Sequence, residues 1–271
     1  MNSGPSRVVL GIDAAWTAKQ PSGVALVGEY GGAWCLLAVE SSYQGFLARA
    51  EGRQPEPRPA GQVPDASALL QAGLSIAGRW VDLVAVDMPM SREPITGRRA
   101  SDNAVSREYG GRKCSTHTPS IERPGPISDK LKSDFEKEGY ALSTTEILTP
   151  GLIEVYPHPA LVELARAPER LPYKAAKARR YWPELSPDER TEKLFVEWRQ
   201  IIALLDSKID GVARAFAGFG DRRAGVEKKA TEDALDAVVC AWVGICALDS
   251  CARAFGDEDS AIWIPSPTQL L

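Results

Sequence analysis

Two apolar runs, each ending on an aspartate, constrain the fold of this chain more than any other feature. The first is VVLGID, which ends on Asp13, and the second is LVAVD, which ends on Asp87. A strand that is apolar on both sides is typically covered on both faces, as at the centre of an α/β sheet. Ligands bind at the carboxyl ends of the strands in open α/β sheets. Both aspartates are therefore predicted to lie at a ligand-binding edge.

The segments around these runs predict the order of the sheet. Strands at residues 23–27 and 34–39 follow the first run through short turns, which favours an antiparallel meander. Residues 66–80 have apolar residues at helical spacing. Because this helix separates the third and fourth strands, the fourth can run parallel to the first and lie beside it. The pattern indicates an α/β fold.

Further elements are indicated later in the chain. A capping box, Ser-Pro-Asp-Glu at residues 186–189, predicts the start of an amphipathic helix. Apolar periodicity and flanking Gly or Pro predict the other elements, which are strands at 152–156 and 261–264 and helices at 101–109 and 231–248. Residues 1–271 are predicted to form a single domain with surface insertions at about 91–150 and 166–225.

Composition narrows the classes of function. The net charge of −4 argues against a generally basic nucleic-acid-binding surface, so any polyanion site must be local. The longest apolar stretch, residues 237–248, is too short for a bilayer, so no membrane partner is expected. Five cysteines without a CxxC pair indicate reduced thiols and a cytoplasmic location. GxGxxG and GxxxxGK[ST] motifs are absent, which disfavours dinucleotide-binding and P-loop enzymes.

Further acids interrupt apolar segments. Glu154 lies within GLIEVYP, and Asp236 lies one helical turn after Asp233. Two carboxylates about 4 Å apart repel each other by roughly 4 kcal/mol at an effective dielectric constant of about 20. A cluster of such groups needs cations or a retained proton. Mg²⁺ or Mn²⁺ is predicted, because hard cations prefer carboxylate oxygens.

Each acid also has a simpler interpretation. Asp13 and Asp87 are of the type that caps the turn after a strand, although their repetition on neighbouring strands favours function. Asp233 is expected to complement the dipole at the start of its helix. Glu154 is a candidate partner for an arginine of the first insertion, whereas Asp236 lies deeper in its helix and has no such explanation. The two histidines are not spaced as zinc ligands. Each is compatible either with a loop residue or with a general base.

Taken in order, these motifs resemble a known family. GIDAAW with SGVAL, AVDMPMS, GRRASDNAVSREYG, IEVYPHPAL and EDALDAVVCAWVG are similar to the family called domain of unknown function 429, regarded as predicted nucleases of ribonuclease-H-like fold. The resemblance implies a five-stranded mixed sheet in the order β-β-β-α-β-α-β, with helices on both faces. It also implies an acidic two-metal centre built from the first strand, the fourth strand and the C-terminal helix.

The predicted activity is metal-dependent hydrolysis of phosphodiester bonds in nucleic acid. Two Mg²⁺ or Mn²⁺ ions about 4 Å apart activate a water and stabilise the leaving oxygen in such centres. The predicted catalytic residues are Asp13, Asp87, Glu154 and Asp236. The predicted metal ligands are Asp13, Asp87, Asp233 and Asp236, with Asp13 bridging both ions.

Two basic segments are predicted to bind the nucleic-acid backbone despite the acidic total. The predicted substrate-binding residues are Arg99, Arg107, Lys113, Lys177, Arg179 and Arg180. Tyr181 and Trp182 follow the second segment, KAAKARR, as stacking on bases requires. The alternative for this segment is a solvated helix face.

The sequence is also compatible with two other functions. A kinase or ATPase of the actin-like group also begins with a strand that ends on Asp and continues into a hairpin, but it usually duplicates the fold and carries glycine-rich phosphate turns. A non-catalytic module on the same fold would bind nucleic acid or a protein partner, because a fold alone does not specify a function. The choice between DNA and RNA and the oligomeric state are open as well.

Overall fold

The structure is a computed structural model that describes residues 4–56, 58–221 and 224–266. Residues 1–3 and 267–271, the two ends of the predicted domain, lie outside the described residues, as do residues 222–223 of the second predicted insertion.

One mixed β-sheet organises the described residues. Its eight strands are β1 Val8–Asp13, β2 Gly23–Tyr30, β3 Ala33–Glu40, β4 Leu83–Val86, β5 Ala141–Leu142, β6 Gly151–Val155, β7 Ala252–Gly256 and β8 Ala261–Pro265. The spatial order is β3-β2-β1-β4-β6-β8-β7, and β5 pairs with the start of β6. The strands β1, β2 and β3 are antiparallel, whereas β4, β6 and β8 continue from β1 as parallel neighbours. The predicted antiparallel meander and the parallel pairing of the first and fourth strands are confirmed.

Helices cover both faces of the sheet. Those of the described residues are α1 Tyr43–Ala50, α2 Ala66–Ala77, α3 Ala100–Tyr109, α4 Pro126–Lys137, α5 Pro157–Leu164, α6 Ala178–Tyr181, α7 Pro187–Asp206, α8 Val212–Ala215 and α9 Gly225–Leu248. Alternate residues of β1 enter two separate hydrophobic clusters: Val9 packs with α5, α7 and α9, whereas Leu10 and Ile12 pack with α1, α2 and α4. In the described part of the chain, no helix is both long and apolar enough to span a bilayer.

Glycines allow α9 to lie directly on the backbone of the sheet. A Cβ atom at Gly11 would lie 2.3 Å from the carbonyl oxygen of Ala237, and one at Gly23 would lie 2.0 Å from that of Asp233. No side chain fits at either position, so the helix backbone approaches β1 and β2 closely. This contact holds the N-terminal half of α9 beside the carboxyl end of β1.

The sheet is larger than the five strands implied by the family resemblance. The additional strands are β5, β7 and β8, of which only the last was indicated by the sequence. Strand β5 has two residues, too few to show a period. Strand β7, ARAFG, is mostly solvent-accessible and lacks an apolar run. It lies outside β8, so β8 is an inner strand of the sheet.

Several helices also differ from the sequence prediction. The predicted element order has one helix between the fourth and fifth strands, but α3 and α4 both lie between β4 and β6. Helix α4 is mostly polar and buries only a narrow stripe that includes Leu131 and Phe135. Helix α9 begins at Gly225, six residues before the predicted start at residue 231, because its first turns are polar and exposed. The capping box at Ser186 is present as predicted.

Prediction: the substitution Gly23→Ala should lower the free energy of unfolding by about 2–4 kcal/mol, because the new methyl group would displace the backbone of α9. Urea denaturation of the purified protein measures this change. Gly97→Ala is the matched control, since no atom lies within 4 Å of a Cβ placed there, and its effect should stay within about 0.5 kcal/mol. Equal stabilities of the two variants would contradict the close packing of α9 on β2.

Candidate functional site

The carboxyl ends of β1 and β4 bring Asp13 and Asp87 together. Ile12 pairs with Val86 in the parallel register. The amide of Asp87 then donates a hydrogen bond of 2.8 Å to the carbonyl oxygen of Ile12. Both aspartates line one cleft of about 570 Å³, which we call the acidic cleft.

Helix α9 brings two more carboxylates to this place. Asp233 is 2% exposed and lines the acidic cleft with Asp13 and Asp87. Its Oδ1 accepts a hydrogen bond from the ammonium group of Lys229, and its Oδ2 is buried without a hydrogen-bond partner. Asp236 is fully buried and binds two groups of the protein: the hydroxyl of Tyr173 at 2.7 Å and the ammonium group of Lys174.

Glu154 is engaged in a different interaction. It lies on β6 beside Val86, and both of its oxygens bind the guanidinium of Arg99, at 2.5 Å and 2.8 Å. The amide of Met90 donates a further hydrogen bond of 2.7 Å. Arg99 also binds Asp102, and its side chain is only 6% exposed. The buried pair therefore ties the start of α3 to the sheet, as the alternative interpretation of Glu154 anticipated.

The pKa shifts of these carboxyl groups indicate that they lie close together. Burial and the negative charges of Asp236 and Asp233 raise the pKa of Asp13 well above its ordinary value. Burial raises the pKa of Asp87 to about 7, although the charge of Lys174 opposes the shift. Burial likewise raises the pKa of Asp233 to about 6. Shifts of this kind arise when carboxylates are desolvated close to one another.

Two lysines neutralise part of this negative charge. Lys174 binds Asp236 and lies 3.4 Å from Glu232, and Lys229 binds Asp233 and lies 3.2 Å from the same glutamate. Burial alone would lower the pKa of Lys174, but the negative charges of Asp236 and Glu232 hold it well above the ordinary value. Both lysines are therefore ammonium ions at neutral pH.

The acids fit a divalent cation only in part. Within residues 4–56, 58–221 and 224–266, no group of three or more His, Cys, Asp or Glu side chains stands at metal-binding spacing. Asp236 and Glu154 are occupied by Lys174 and Arg99. The carboxylates that line the acidic cleft, with the unpartnered Oδ2 of Asp233, have the oxygen chemistry that Mg²⁺ and Mn²⁺ prefer. The donor set thus suits a single hard cation better than two.

A second cavity adjoins the acidic cleft and is lined by both cations and carboxylates. We call it the basic groove; it measures about 330 Å³ and contains His158, Arg170, Lys174 and Lys177. Asp87 lines both the basic groove and the acidic cleft, so the two are contiguous. Trp16 also borders both cavities.

The predicted substrate-binding residues are dispersed. Lys177 lines the basic groove, and Arg180 lines a cleft that continues from it. Arg107 and Arg179 are solvent-exposed on α3 and α6. Lys113 forms an exposed ion pair with Glu169, at 2.6 Å. Arg99, by contrast, is buried, and its guanidinium already binds carboxylates of the protein. It therefore has no N–H group free to bind a substrate.

Sequence reasoning missed several residues of this region. Lys229 precedes Asp233 by four positions on α9, a spacing that favours an ion pair and was available in the sequence. Arg123 lines the acidic cleft, and its guanidinium lies 5.9 Å from the centre of the Trp16 ring. Arg170 carries no local pattern, because it reaches the groove from an irregular segment after α5.

Comparisons with known proteins identify the family of the chain. The family model described as "Protein of unknown function (DUF429)" matches residues 11–260, which confirms the resemblance seen in the motifs. Comparisons with curated proteins and with solved structures find no match.

Prediction: Asp87→Asn should stabilise the protein at about pH 8 by about 2 kcal/mol and leave it nearly unchanged at about pH 3.5, below the unfolded-state pKa. The pKa of Asp87 is raised from 3.8 to about 7, so the folded state holds more protons than the unfolded state between these values. Its contribution to stability is therefore present at low pH and is lost as the pH rises through about 7.

Urea denaturation at the two pH values measures this difference. Glu93→Gln removes the same charge from an exposed loop and should change stability by less than about 0.5 kcal/mol at either pH. Destabilisation by Asp87→Asn at high pH would mean that the carboxylate has a favourable partner and is not crowded by other acids.

Proposed function

The chain belongs to the DUF429 family, and we propose that it is a metal-dependent phosphodiester hydrolase that acts on nucleic acid. The observation that carries this proposal is the arrangement of the acidic cleft, where carboxylates from β1, β4 and α9 face one cavity. A hard cation is the ligand that such a cluster favours. The contiguous basic groove gives a phosphate backbone a place beside the acids.

We further propose that the core is ribonuclease-H-like. The strand order β3-β2-β1-β4-β6, with an antiparallel first half and a parallel second half, supports this assignment. Support also comes from α9, a C-terminal helix that carries Asp233 and Asp236 to the end of β1. On this view β5, β7 and β8 are additions to the five strands that the family resemblance implies.

Asp13, Asp87 and Asp233 would hold the cation. Bound Mg²⁺ or Mn²⁺ supplies Lewis acidity and lowers the pKa of a bound water. The acids must be ionised to bind it, and their raised pKa values mean that protons compete for the same oxygens up to about neutral pH. Affinity for the cation should therefore increase as the pH rises from about 6 to about 8.

Lys174 would take the place of a second cation. Its ammonium group binds Asp236, and its charge acts on both Asp13 and Asp87. A fixed positive charge here stabilises negative charge that develops on a phosphoryl group nearby. One divalent ion and one ammonium ion would then supply the charge that two metal ions supply in a two-metal centre.

Other residues of the acidic cleft would position the nucleic acid. Arg123 carries a positive charge at the cleft, and Trp16 offers an aromatic face beside both cavities. Stacking of a base on an aromatic ring combined with ionic contacts to phosphates is the general mode by which single strands are bound. The pair Glu154 and Arg99 would have a positioning role, since it fixes α3 next to β4 and β6.

A non-catalytic binding module is the second candidate. The observation that favours it is that Asp233, Asp236 and Glu154 all have a cation of the protein within ion-pair distance. These pairs neutralise the acids without any metal. Such a module would bind nucleic acid through the basic groove and show no cleavage.

Prediction: isothermal titration calorimetry with Mn²⁺ should reveal one binding site per chain, and Asp13→Asn and Asp87→Asn should each abolish it. The same variants should slow Mn²⁺-dependent cleavage of labelled single-stranded DNA or RNA by at least about 100-fold, the upper range for residues that merely orient a metal ligand. Glu93→Gln should leave both properties unchanged, because Glu93 is exposed and remote from the cleft lining.

The outcomes separate the two candidates. Nucleic-acid binding without Mn²⁺ heat or cleavage would favour the binding module. Cleavage that persists in Asp13→Asn would show that the activity comes from another site or a contaminant. A second Mn²⁺ bound by the native protein would contradict the role given to Lys174.

A further inference from the structure

The basic groove contains positive charge that no carboxylate neutralises. Arg170 lines both the groove and the adjoining cleft of about 500 Å³. The side chains of Arg170 and Lys177 form no ion pair and no hydrogen bond with any residue that the structure describes, in contrast to Lys174 and Arg99 beside them. The Nε of Arg170 is even buried without a partner.

The cations at Arg170 and Lys177 repel each other, and the nearby Glu232 offsets this repulsion only in part. The pKa of Lys177 is lowered by burial and by the positive charges of Arg170, Lys174 and Arg180. Groups held close to like charges in a cavity are found preferentially at functional sites, because the cost is offset when the ligand binds. A ligand with negative charge would offset the remaining repulsion.

A neutral histidine provides a second, independent indication of a ligand. His158 is 7% exposed and lines the groove, and its Nδ1 has no hydrogen-bond partner. Burial and the charges of Lys174 and Arg170 lower its pKa well below the ordinary value, so the ring is neutral and carries one N–H. His158 is also the second residue of α5, where the helix dipole adds positive potential. Buried polar nitrogens are rarely left unpaired in proteins.

We propose that Arg170, Lys177 and His158 form a binding subsite for a phosphate group, next to the acidic cleft. Arginine matches the geometry of a phosphate with two parallel N–H bonds, and lysine adds a point charge. The groove has a volume of about 330 Å³, which accommodates a phosphate with part of its sugar. A carboxylate ligand carries less charge for the same set of donors.

The position of the subsite defines the substrate class, if the proposed hydrolase function holds. Asp87 connects the acidic cleft to the groove, and Arg170 connects the groove to the cleft that contains Tyr181 and Trp182. A strand with its scissile phosphate at the acids would place its neighbouring phosphate at Arg170 and the following base beside Trp182. The substrate is then a single strand of at least two nucleotides, and a mononucleotide is too short.

The test uses inorganic phosphate, pyrophosphate and a 5′-phosphorylated thymidine dinucleotide as probes, titrated in the presence of a metal chelator. Arg170→Gln and Lys177→Gln should each weaken binding of all three probes about tenfold, as expected for loss of one charge-assisted contact. Arg58→Gln is the matched control: it removes the same charge from an exposed position outside the groove and the adjoining cleft, and it should leave affinity within about twofold. Urea denaturation verifies that each variant is folded; if Arg170→Gln is not, Lys177→Gln alone decides.

Equal affinities of the Arg170→Gln, Lys177→Gln and Arg58→Gln variants for phosphate would overturn the subsite. The result is independent of the hydrolase proposal, because no metal is present. Loss of phosphate binding in Arg170→Gln without any Mn²⁺-dependent cleavage by the native protein would retain the subsite and remove the hydrolase. Cleavage that depends on Asp13, with unchanged KM and phosphate affinity in Arg170→Gln, would retain the hydrolase and remove the subsite.

Discussion

The direct contact between α9 and the backbone of β1 and β2 determines the chemistry at the carboxyl edge of the sheet. Gly11 and Gly23 leave no side chain between the strands and the helix. As a result, Asp233 and Asp236 lie beside Asp13, and Lys229 comes with them on the same helix. A side chain at either glycine would move the helix and all of these charges together.

Because these carboxylates lie close together, they repel one another, and nearby lysines neutralise part of their charge. The buried carboxylates raise one another's pKa values, and Lys174 and Lys229, which both lie near Glu232, oppose that effect. Breaking a buried ion pair costs several kcal/mol, about 3–5 in measured cases, because the remaining charge is left without compensation. Lys174 is therefore expected to stay with Asp236 when a ligand binds. The carboxylates that face the cleft remain the place where an external cation enters.

The sequence predicted those parts of the fold and site that depend on local pattern. Asp13 and Asp87 follow uninterrupted apolar runs, and strand pairing puts the ends of such runs together. The function of Arg99 was misjudged because its buried pair with Glu154 joins residues 55 positions apart, and charge spacing gives no sign of it. Arg170 was missed because it lies in an irregular segment after α5, which carries no periodic pattern. Strand β5 and strand β7 depend on pairing with β6 and β8 and have little signal of their own.

Anomalous diffraction from crystals of the protein soaked with Mn²⁺ tests the cation site directly. We expect one anomalous peak in the acidic cleft, bound by Asp13 and Asp87, while the ammonium group of Lys174 still contacts Asp236. Absence of a peak in that cleft would contradict the cation site. Two peaks, with Lys174 displaced from Asp236, would instead contradict the assignment of a protein ammonium group as the second positive charge.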